Sequence, residues 1–244
     1  MQTNYIRNGD CLKLIKSLDD KSIDVSFTSP PYNRIRNDTY QFYDDTKKDY
    51  FDFLVNITNE MLRVTKGYVI VNIQCNHFNK SDFYKYIGYY SDLINGIIVW
   101  EKTNPQPANN YDKVRNTRSV TNSFEYFIFI KDGGNFVSYG KKQFKNIIKS
   151  TVNSNSFKGH GAVMKKEIAD LIINKFTKKG DVILDPFMGC GTTAVSCIES
   201  DRKYIGYEIV PQYLKIAQNR INSLHNQINI FDILQNKEET NEQK

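Results

Sequence analysis

Short apolar segments alternate along the chain with longer segments in which apolar residues recur at helical spacing. The apolar segments are rich in Val, Ile, Phe and Tyr and are bounded by polar residues or Gly, which is typical of buried β-strands. Six segments fit this description, at residues 23–27, 68–73, 97–100, 124–130, 182–184 and 204–209. They predict a sheet of at least six strands.

The intervening segments predict amphipathic helices. The clearest spans residues 47–65, where Leu54, Thr58 and Met61 share one face and Gly67 follows the last turn. A second spans residues 167–176, and a third begins at Pro211, a residue type favoured in a first helical turn. Strands that alternate with helices predict an α/β fold, with a mostly parallel central sheet and helices on both faces.

The 244 residues are enough for one well-buried domain. We predict a single domain over residues 1–232, with basic loops at about 103–122 and 132–161, and a flexible tail at 233–244. The loop segments are rich in Asn, Ser, Gly, Lys and Arg. Loops of this length in a compact domain are usually functional.

Positive charge is concentrated in the middle of the chain. Residues 102–158 contain ten Lys and Arg against three Asp and Glu, so this segment alone exceeds the net charge of +6 of the whole chain. Such an excess indicates an anionic partner, usually nucleic acid, although a solvated lysine-rich surface explains it equally well.

The sequence gives no sign of a metal site, a disulfide framework or a membrane segment. Its four Cys and three His are scattered, without the spacing of metal ligands. The apolar runs are too short to span a bilayer, and the first ten residues are too polar for a signal peptide. We therefore expect a cytoplasmic protein.

A glycine-rich turn follows the predicted strand at 182–184. Gly189 and Gly191 allow close approach of a ligand, and a helix beginning near Thr192 directs its free N–H groups to the same place. Glu208 ends the next strand, 17 residues after Gly191, where a carboxylate accepts hydrogen bonds from ribose hydroxyls. The spacing also fits a loose dinucleotide fingerprint, but Asp185 beside the turn disfavours a pyrophosphate and suits a cationic ligand with a ribose, such as S-adenosylmethionine (SAM).

A rigid corner, Thr28-Ser29-Pro30-Pro31-Tyr32, follows the first predicted strand. Neither proline has an N–H group, so the corner presents oxygen acceptors in fixed directions. Ser29 Oγ and the Pro30 carbonyl oxygen are the candidate acceptors.

Together these two stretches resemble the amino-methyltransferases of DNA. Phe27 to Tyr32 resembles their catalytic motif, (D/N/S)PPY, and the segment from Leu184 to Thr193 resembles their SAM-binding motif. The catalytic motif comes first here, by about 150 residues, as in the circularly permuted (β) class. Weaker likenesses lie at Asn8 to Cys11, Trp100 to Pro105 and Ser123 to Tyr126, so that the resemblance covers most of residues 4–222.

The resemblance implies a Rossmann-like SAM-dependent methyltransferase fold and a base flipped out of duplex DNA, on which Tyr32 stacks. It implies SAM as methyl donor, no metal, and a cognate restriction endonuclease or a second copy of the chain as further partners. The implied catalytic residues are Ser29, Pro30, Pro31 and Tyr32. An exocyclic amine of a nucleobase is a poor nucleophile because its lone pair is delocalised into the ring. Ser29 Oγ and the Pro30 carbonyl oxygen would accept from its N–H bonds and favour a pyramidal nitrogen. The implied SAM-binding residues are Asp10, Cys11, Asp185, Pro186, Phe187, Gly189, Gly191, Thr192 and Glu208. For contact with DNA we single out Arg115, Arg118, Lys141 and Lys142 from the basic loops.

Ser29 at the first motif position is more typical of enzymes that methylate N4 of cytosine, and Asp of those that methylate N6 of adenine. We therefore favour cytosine N4, with adenine N6 as the alternative. Cytosine C5 chemistry is excluded because it uses a Pro-Cys nucleophile that this chain lacks. Two functions of other classes stay open: an inactive relative that binds DNA, and a nicotinamide-dependent oxidoreductase.

Overall fold

The computed structural model describes residues 1–33, 42–105, 111–152, 157 and 163–242. In chain order, its strands are β1 (Tyr5–Asn8), β2 (Val25–Thr28), β3 (Val69–Ile73), β4 (Ile94–Lys102), β5 (Tyr111–Asp112), β6 (Thr117–Arg118), β7 (Phe124–Ile130), β8 (Ile147–Ser150), β9 (Val182–Asp185) and β10 (Lys203–Glu208). Its helices are α1 (Cys11–Ile15), α2 (Tyr50–Val64), α3 (Lys80–Tyr89), α4 (Lys166–Phe176), α5 (Thr192–Glu199) and α6 (Pro211–Glu242).

Eight strands form one mixed sheet in the order β1-β10-β9-β2-β3-β7-β4-β8. Strand β7 is antiparallel to both neighbours, and the other pairs are parallel. Helices α1, α2 and α3 pack on one face, and α4, α5 and α6 contribute to the core on the other. The predicted α/β fold with helices on both faces is therefore confirmed.

All six predicted strands are present, with ends shifted by up to three residues. The sequence pattern missed strands β1 and β8 and helices α1 and α3. Strand β8 lies within the segment 132–161 that we expected to be a loop, and it extends the sheet because Ile148 buries its side chain beside Trp100 in the same core. In the other loop, 103–122, the described residues include the small hairpin of β5 and β6.

Helix α6 extends past the predicted domain boundary. Its backbone continues from Pro211 to Glu242, beyond the boundary at residue 232. Past Pro211 this segment contains neither Gly nor Pro, the two residue types that most often end a helix. The flexibility of residues 233–244 stays a prediction.

Within the described part of the chain, none of the helices combines the length and the apolarity needed to cross a membrane. The same residues contain no group of three or more His, Cys, Asp or Glu side chains arranged to hold a metal ion.

The carboxyl ends of β1, β10, β9, β2 and β3 lie along one edge of the sheet, because these strands are parallel. Strands β9 and β2 are neighbours in the sheet. The strand that follows β9 in the chain, β10, lies on the far side of β9, and the strand that follows β2, β3, lies on the far side of β2. The direction of winding therefore reverses between β9 and β2. Ligands of open α/β sheets bind at the carboxyl edge beside such a switch point. Both motifs predicted from the sequence follow these two strands.

Candidate active site

A hydrogen bond joins the two motifs across the switch point. Thr28 Oγ1, at the end of β2, donates to Asp185 Oδ1, at the end of β9, over 2.7 Å. Strands β2 and β9 pair directly, with Ser26 opposite Leu184. The structure therefore places the Pro-Pro corner and the glycine turn side by side.

The carboxylate of Asp185 accepts three hydrogen bonds from the protein. Oδ2 accepts from Thr193 Oγ1 at 2.6 Å, and Oδ1 also accepts from the Phe187 amide at 3.0 Å. The side chain is buried, and burial raises the pKa of its carboxyl above the ordinary value, against the lowering effect of these donors. These contacts fasten the glycine turn to β2, and a contact of Asp185 with a cationic ligand stays a prediction.

The glycine turn has the backbone that only glycine adopts freely. Gly189 and Gly191 have φ angles of 53° and 82°. A Cβ at Gly191 would lie 2.8 Å from Cβ of Ala217 in α6, so this glycine permits the close packing of the neighbouring helix. The approach of a ligand to its backbone stays a prediction. Arg220, also in α6, donates to the Cys190 carbonyl oxygen over 2.5 Å and holds the turn from outside.

Three other predicted residues of this turn differ in exposure. Pro186 and Thr192 are buried. Phe187 is half-buried and packs edge-on against Phe53 of α2, with ring centroids 5.7 Å apart. Thr192 begins α5, which is eight residues long.

Glu208 lies against the glycine turn as predicted. Its Oε2 accepts from the Gly189 amide and its Oε1 from the Val210 amide, each over 2.8 Å. The side chain is 7% exposed, and burial raises the pKa of its carboxyl above the usual glutamate value. Two oxygens that each hold one backbone donor retain lone pairs for a further donor.

Asp10 and Cys11 lie next to Glu208 through the pairing of β1 with β10. Asn8 is the register partner of Glu208, and the Gly9 amide donates to the Glu208 carbonyl oxygen over 3.0 Å. Asp10 is exposed and caps α1 by accepting from the Lys13 amide. Cys11 is buried, and burial raises the pKa of its thiol to about 12, so it stays a neutral thiol.

The segment that contains Tyr43 and Lys47, for which the sequence predicts no role, lies over this part of the edge. Tyr43 is half-buried, and burial, with Cys11, Asp45 and Glu208 nearby, raises the pKa of its hydroxyl to about 12. Lys47 Nζ lies 4.5 Å from the centroid of the Phe53 ring. No motif marks these residues, and only their proximity in the fold reveals them.

The Pro-Pro corner is held from several directions. The Tyr32 carbonyl oxygen accepts from Nδ2 of Asn76 at 3.0 Å and of Asn79 at 2.8 Å, and the Pro31 carbonyl oxygen accepts from the Tyr50 hydroxyl at 2.6 Å. Pro30 is buried, whereas Ser29 is half-buried, at the surface of the corner. The corner is therefore rigid, and the half-buried Ser29 lies between its surface and the buried Tyr32 hydroxyl.

The side chain of Tyr32 points inward. It is 7% exposed, and its hydroxyl lies 2.9 Å from Ser29 Oγ. The stacking of this ring on a base stays a prediction, because the structure shows the ring buried.

A polar cluster continues from Tyr32 across β3, β7 and β4. The Tyr32 hydroxyl lies 2.6 Å from Asn72 Oδ1 and 3.1 Å from Glu125 Oε2, and Glu125 Oε1 forms an ion pair with Lys102. The sequence predicts no role for Asn72, Glu125 or Lys102. A signal was present, because Asn72 and Glu125 interrupt strands that are otherwise apolar.

The four basic residues predicted to contact DNA lie at two different edges. Arg115 and Arg118 belong to the β5–β6 hairpin, which connects the carboxyl edge at Lys102 with the start of β7 at Phe124. Lys141 and Lys142 lie in the segment after β7 has crossed the sheet. Nearby in this segment, the Tyr139 amide donates to the carbonyl oxygen of Lys175 near the end of α4. The structure thus brings the arginine pair to the edge of the site but not the lysine pair.

Residues 23–219 match the model of the DNA methylase family N6_N4_Mtase. Because the match covers most of the chain, the protein belongs to this family. Among curated relatives, the chain is 29% identical over 266 residues to the type II methyltransferase M.Cfr9I of Citrobacter freundii, covering 87% of this chain and 86% of the relative. It is 28% identical over 250 residues to the type II beta methyltransferase M.BslI of Bacillus sp. (strain NEB-606), where 87% of this chain spans 27% of the relative.

Solved structures share the fold. PvuII DNA methyltransferase, described as cytosine-N4-specific, has a TM-score of 0.72 at 16% identity and covers 93% of each chain. M1.HpyAVI in complex with SAM has a TM-score of 0.59 at 21% identity, covering 88% of this chain and 97% of that one. The arrangement of sheet and helices is therefore that of known methyltransferases.

Proposed function

We propose that this DNA methylase transfers a methyl group from SAM to the exocyclic N4 amine of a cytosine that is flipped out of duplex DNA. The observation that carries the proposal is the position of Ser29. It lies at the surface of a rigid corner, and its neighbour Thr28 is hydrogen-bonded to the strand that carries the glycine turn.

The residues around the glycine turn fit SAM. Two carboxylates, the exposed Asp10 and the nearly buried Glu208, lie at adjoining strand ends beside it. A negative set of this kind suits a sulfonium cation and disfavours a pyrophosphate. Glu208 would accept from the ribose hydroxyls, since each of its oxygens retains a lone pair. SAM supplies a methyl group already activated for attack by a nucleophile.

The corner supplies position and electrostatics to the reaction. Ser29 Oγ and the Pro30 carbonyl oxygen accept from the two N–H bonds of the target amine, which directs its lone pair toward the glycine turn. The cost of ordering the two reactants is met by binding, and such alignment accounts for about 7 to 11 kcal/mol of barrier in favourable cases. Neither a metal nor a covalent enzyme intermediate has a part in this scheme.

The choice of cytosine over adenine rests on serine at the first position of the motif. A neutral hydroxyl at Ser29, rather than a carboxylate, is the form that we associate with cytosine N4. Adenine N6 is the alternative product, because the same pair of acceptors fits either amine.

We further propose that the chain belongs to the permuted β class and acts in a restriction–modification system in the cytoplasm, in one domain over residues 1–232. The order of the motifs supports the class, since Ser29 precedes Gly189 in the chain while their strands are neighbours in the sheet. Arg115 and Arg118 would contact the DNA backbone beside the flipped base, since their hairpin lies at the site edge. A second copy of the chain and a cognate nuclease are candidate protein partners.

The test is a methyl-transfer assay with labelled SAM and unmodified genomic DNA, followed by digestion to nucleosides and mass spectrometry. We expect N4-methyl-2′-deoxycytidine from the wild-type chain and a loss of about 10²- to 10³-fold for Ser29→Ala, in the range found when an acceptor or donor at a reacting centre is removed. SAM affinity should stay within a few-fold. N6-methyl-2′-deoxyadenosine as the product would select the alternative, and no methylated base would contradict the proposal.

A further inference from the structure

We propose that the proton released by the methylated amine leaves through the hydroxyls of Ser29 and Tyr32 and is taken up by the buried carboxylate of Glu125. This inference rests on the proposed function and assigns a role to a cluster that the function itself does not require.

The reaction creates a proton that must leave. When the amine lone pair forms the new N–C bond, the S–C bond breaks and its electron pair stays on sulfur. The nitrogen is then cationic and must lose one proton to become a neutral secondary amine. A serine hydroxyl passes a proton on but does not retain it near neutral pH, so a base is needed behind Ser29.

A continuous path of hydrogen-bonding oxygens leads from Ser29 to such a base. Ser29 Oγ lies 2.9 Å from the Tyr32 hydroxyl, and that hydroxyl lies 3.1 Å from Glu125 Oε2. Both distances are within the range for transfer between hydrogen-bonded oxygens. Ser29 is half-buried, whereas Tyr32 is 7% and Glu125 is 6% exposed, so the path runs from the surface of the site into the protein.

The negative charge of the buried Glu125 is stabilised through its other oxygen, Oε1. Oε1 pairs with Lys102 Nζ, and the two side chains are 8% and 12% exposed. A buried carboxylate without a partner would be very costly, and the ammonium group offsets that cost. Pairing through Oε1 leaves Oε2 directed at Tyr32. On the neighbouring strand β4, Lys102 is the ionised group paired with Glu125.

Asn72 accepts from both hydroxyls of the path but does not take up the proton. The Tyr32 hydroxyl has a single proton and Asn72 Oδ1 is its nearer acceptor, so this hydroxyl turns to Glu125 Oε2 when the proton moves. Asn72 Oδ1 lies 2.6 Å from the Tyr32 hydroxyl and accepts from Ser29 Oγ at 3.3 Å, while its Nδ2 donates to the Tyr126 carbonyl oxygen at 3.3 Å. The last contact fixes which end of the amide faces the hydroxyls. An amide oxygen is a very weak base, so within this cluster Glu125 is the group able to retain the proton.

The relay moves three protons, one at each step. The amine proton passes to Ser29 Oγ, the serine proton to the Tyr32 oxygen, and the tyrosine proton to Glu125 Oε2. The products are a neutral methylated amine, S-adenosylhomocysteine, two unchanged hydroxyls and a protonated Glu125, which returns its proton to solvent before the next turnover.

The test compares Glu125→Gln with Glu101→Gln. Glu101 lies on the neighbouring strand and forms an exposed pair with Lys149, so it is a matched control. Three quantities are measured: SAM affinity by calorimetry, base flipping by fluorescence of 2-aminopurine at the target position, and the single-turnover rate of methyl transfer. We expect Glu125→Gln to bind SAM and flip the base within threefold of wild type, but to transfer methyl about 100-fold more slowly, as for loss of a general base.

Rescue by a shorter carboxylate separates proton transfer from a purely structural role. Glu125→Asp keeps a carboxylate at the end of the path and should recover part of the rate that Glu125→Gln loses, whereas a purely structural role would leave the two variants equally slow. Tyr32→Phe removes the hydroxyl in the middle of the path and leaves the Glu125–Lys102 ion pair in place. Its methyl-transfer rate should fall as much as that of Glu125→Gln. If Glu125→Gln does not fold, Tyr32→Phe still tests the path.

A methyl-transfer rate of Glu125→Gln or Tyr32→Phe within threefold of wild type, with normal SAM binding and flipping, would overturn the relay and leave the proposed function standing. Failure of the wild-type chain to methylate either base would overturn the proposed function, and the relay with it.

Discussion

The hydroxyl of Thr28 donates to the carboxylate of Asp185 over 2.7 Å, although 157 positions separate the two residues in the chain. This bond links the end of β2 to the end of β9. Because the Pro-Pro corner begins at the next residue after Thr28 and the glycine turn follows Asp185, one contact fixes the relative position of the two halves of the site.

Thr28→Val should therefore destabilise the fold. The valine keeps the shape of threonine but removes a donor from a carboxylate that is 4% exposed. Loss of a hydrogen bond to a buried charged group costs about 1 to 3 kcal/mol. Urea unfolding followed by circular dichroism measures the change in free energy of unfolding. Thr117→Val, on the exposed β5–β6 hairpin, is the control and should change it by less than about 0.5 kcal/mol. Equal effects of both substitutions would show that the bond to Asp185 is unimportant.

Gly191→Ala should destabilise the protein more than Gly133→Ala. Both glycines have positive φ, of 82° and 63°, so both substitutions introduce backbone strain. Only at Gly191 would the new Cβ also meet Ala217, at 2.8 Å, whereas Gly133 faces open space. Overpacking of this kind adds about 1 to 3 kcal/mol. Thermal unfolding of the two variants measures the difference, and equal melting temperatures would contradict the packing of α6 on the turn.

SAM affinity should fall on acidification at a higher pH than an ordinary glutamate would cause. Burial raises the pKa of Glu208, so its carboxylate takes up a proton above the usual pKa of about 4.3. The ionised form is the one that attracts the sulfonium and accepts from ribose, so affinity is full above the raised pKa and declines below it. Calorimetry from about pH 8 to about pH 5 measures this decline.

Glu208→Gln is the matching variant for that titration. It should bind SAM roughly 10- to 100-fold more weakly at neutral pH, as for loss of a charged hydrogen-bond acceptor, and with less dependence on pH. An unchanged SAM affinity in this variant would show that Glu208 does not contact SAM.

Replacement of Arg115 and Arg118 by Ala should weaken DNA binding and reduce its dependence on salt. Each lost phosphate contact lowers the slope of log K against log salt concentration by about 0.9. Lys141→Ala with Lys142→Ala removes the same charge from the segment that the structure does not bring to the site edge, and should change the slope less. Titration by fluorescence anisotropy at several salt concentrations provides the slopes. A larger change in this slope for the lysine pair would show that DNA binds at the segment that contains Lys141 and Lys142.

The sequence predicted the features that depend on local pattern. Strand β7 was predicted with its observed ends because Phe124–Ile130 is apolar apart from Glu125. Strand β8 was missed because only two of its four residues are apolar, and its pairing with β4 depends on contacts distant in sequence. Helix α3 was missed because its face toward the core is made of Phe83 and Tyr86, aromatic residues without the regular aliphatic spacing of α2.

The same distinction holds within the site. Ser29, Gly189 and Glu208 were selected because motifs and spacing mark them. The partners of Asp185 and the path from Tyr32 to Glu125 were not, because they join residues from separate strands whose order in the sheet cannot be derived from spacing. Lys141 and Lys142 were grouped with Arg115 and Arg118 on charge alone, and charge does not reveal that an intervening strand, β7, carries the chain to the other edge.

The proposed function requires that the Pro-Pro corner hold a cytosine amine within reach of the methyl group carried at the glycine turn. A crystal structure of the chain with a SAM analogue and a duplex that contains its target would show this arrangement. We expect a flipped cytosine whose N4 lies within hydrogen-bonding distance of Ser29 Oγ and about 3 to 3.5 Å from the position of the transferable methyl carbon. A base bound elsewhere, or an analogue that does not contact Glu208 and the glycine turn, would contradict the proposed function.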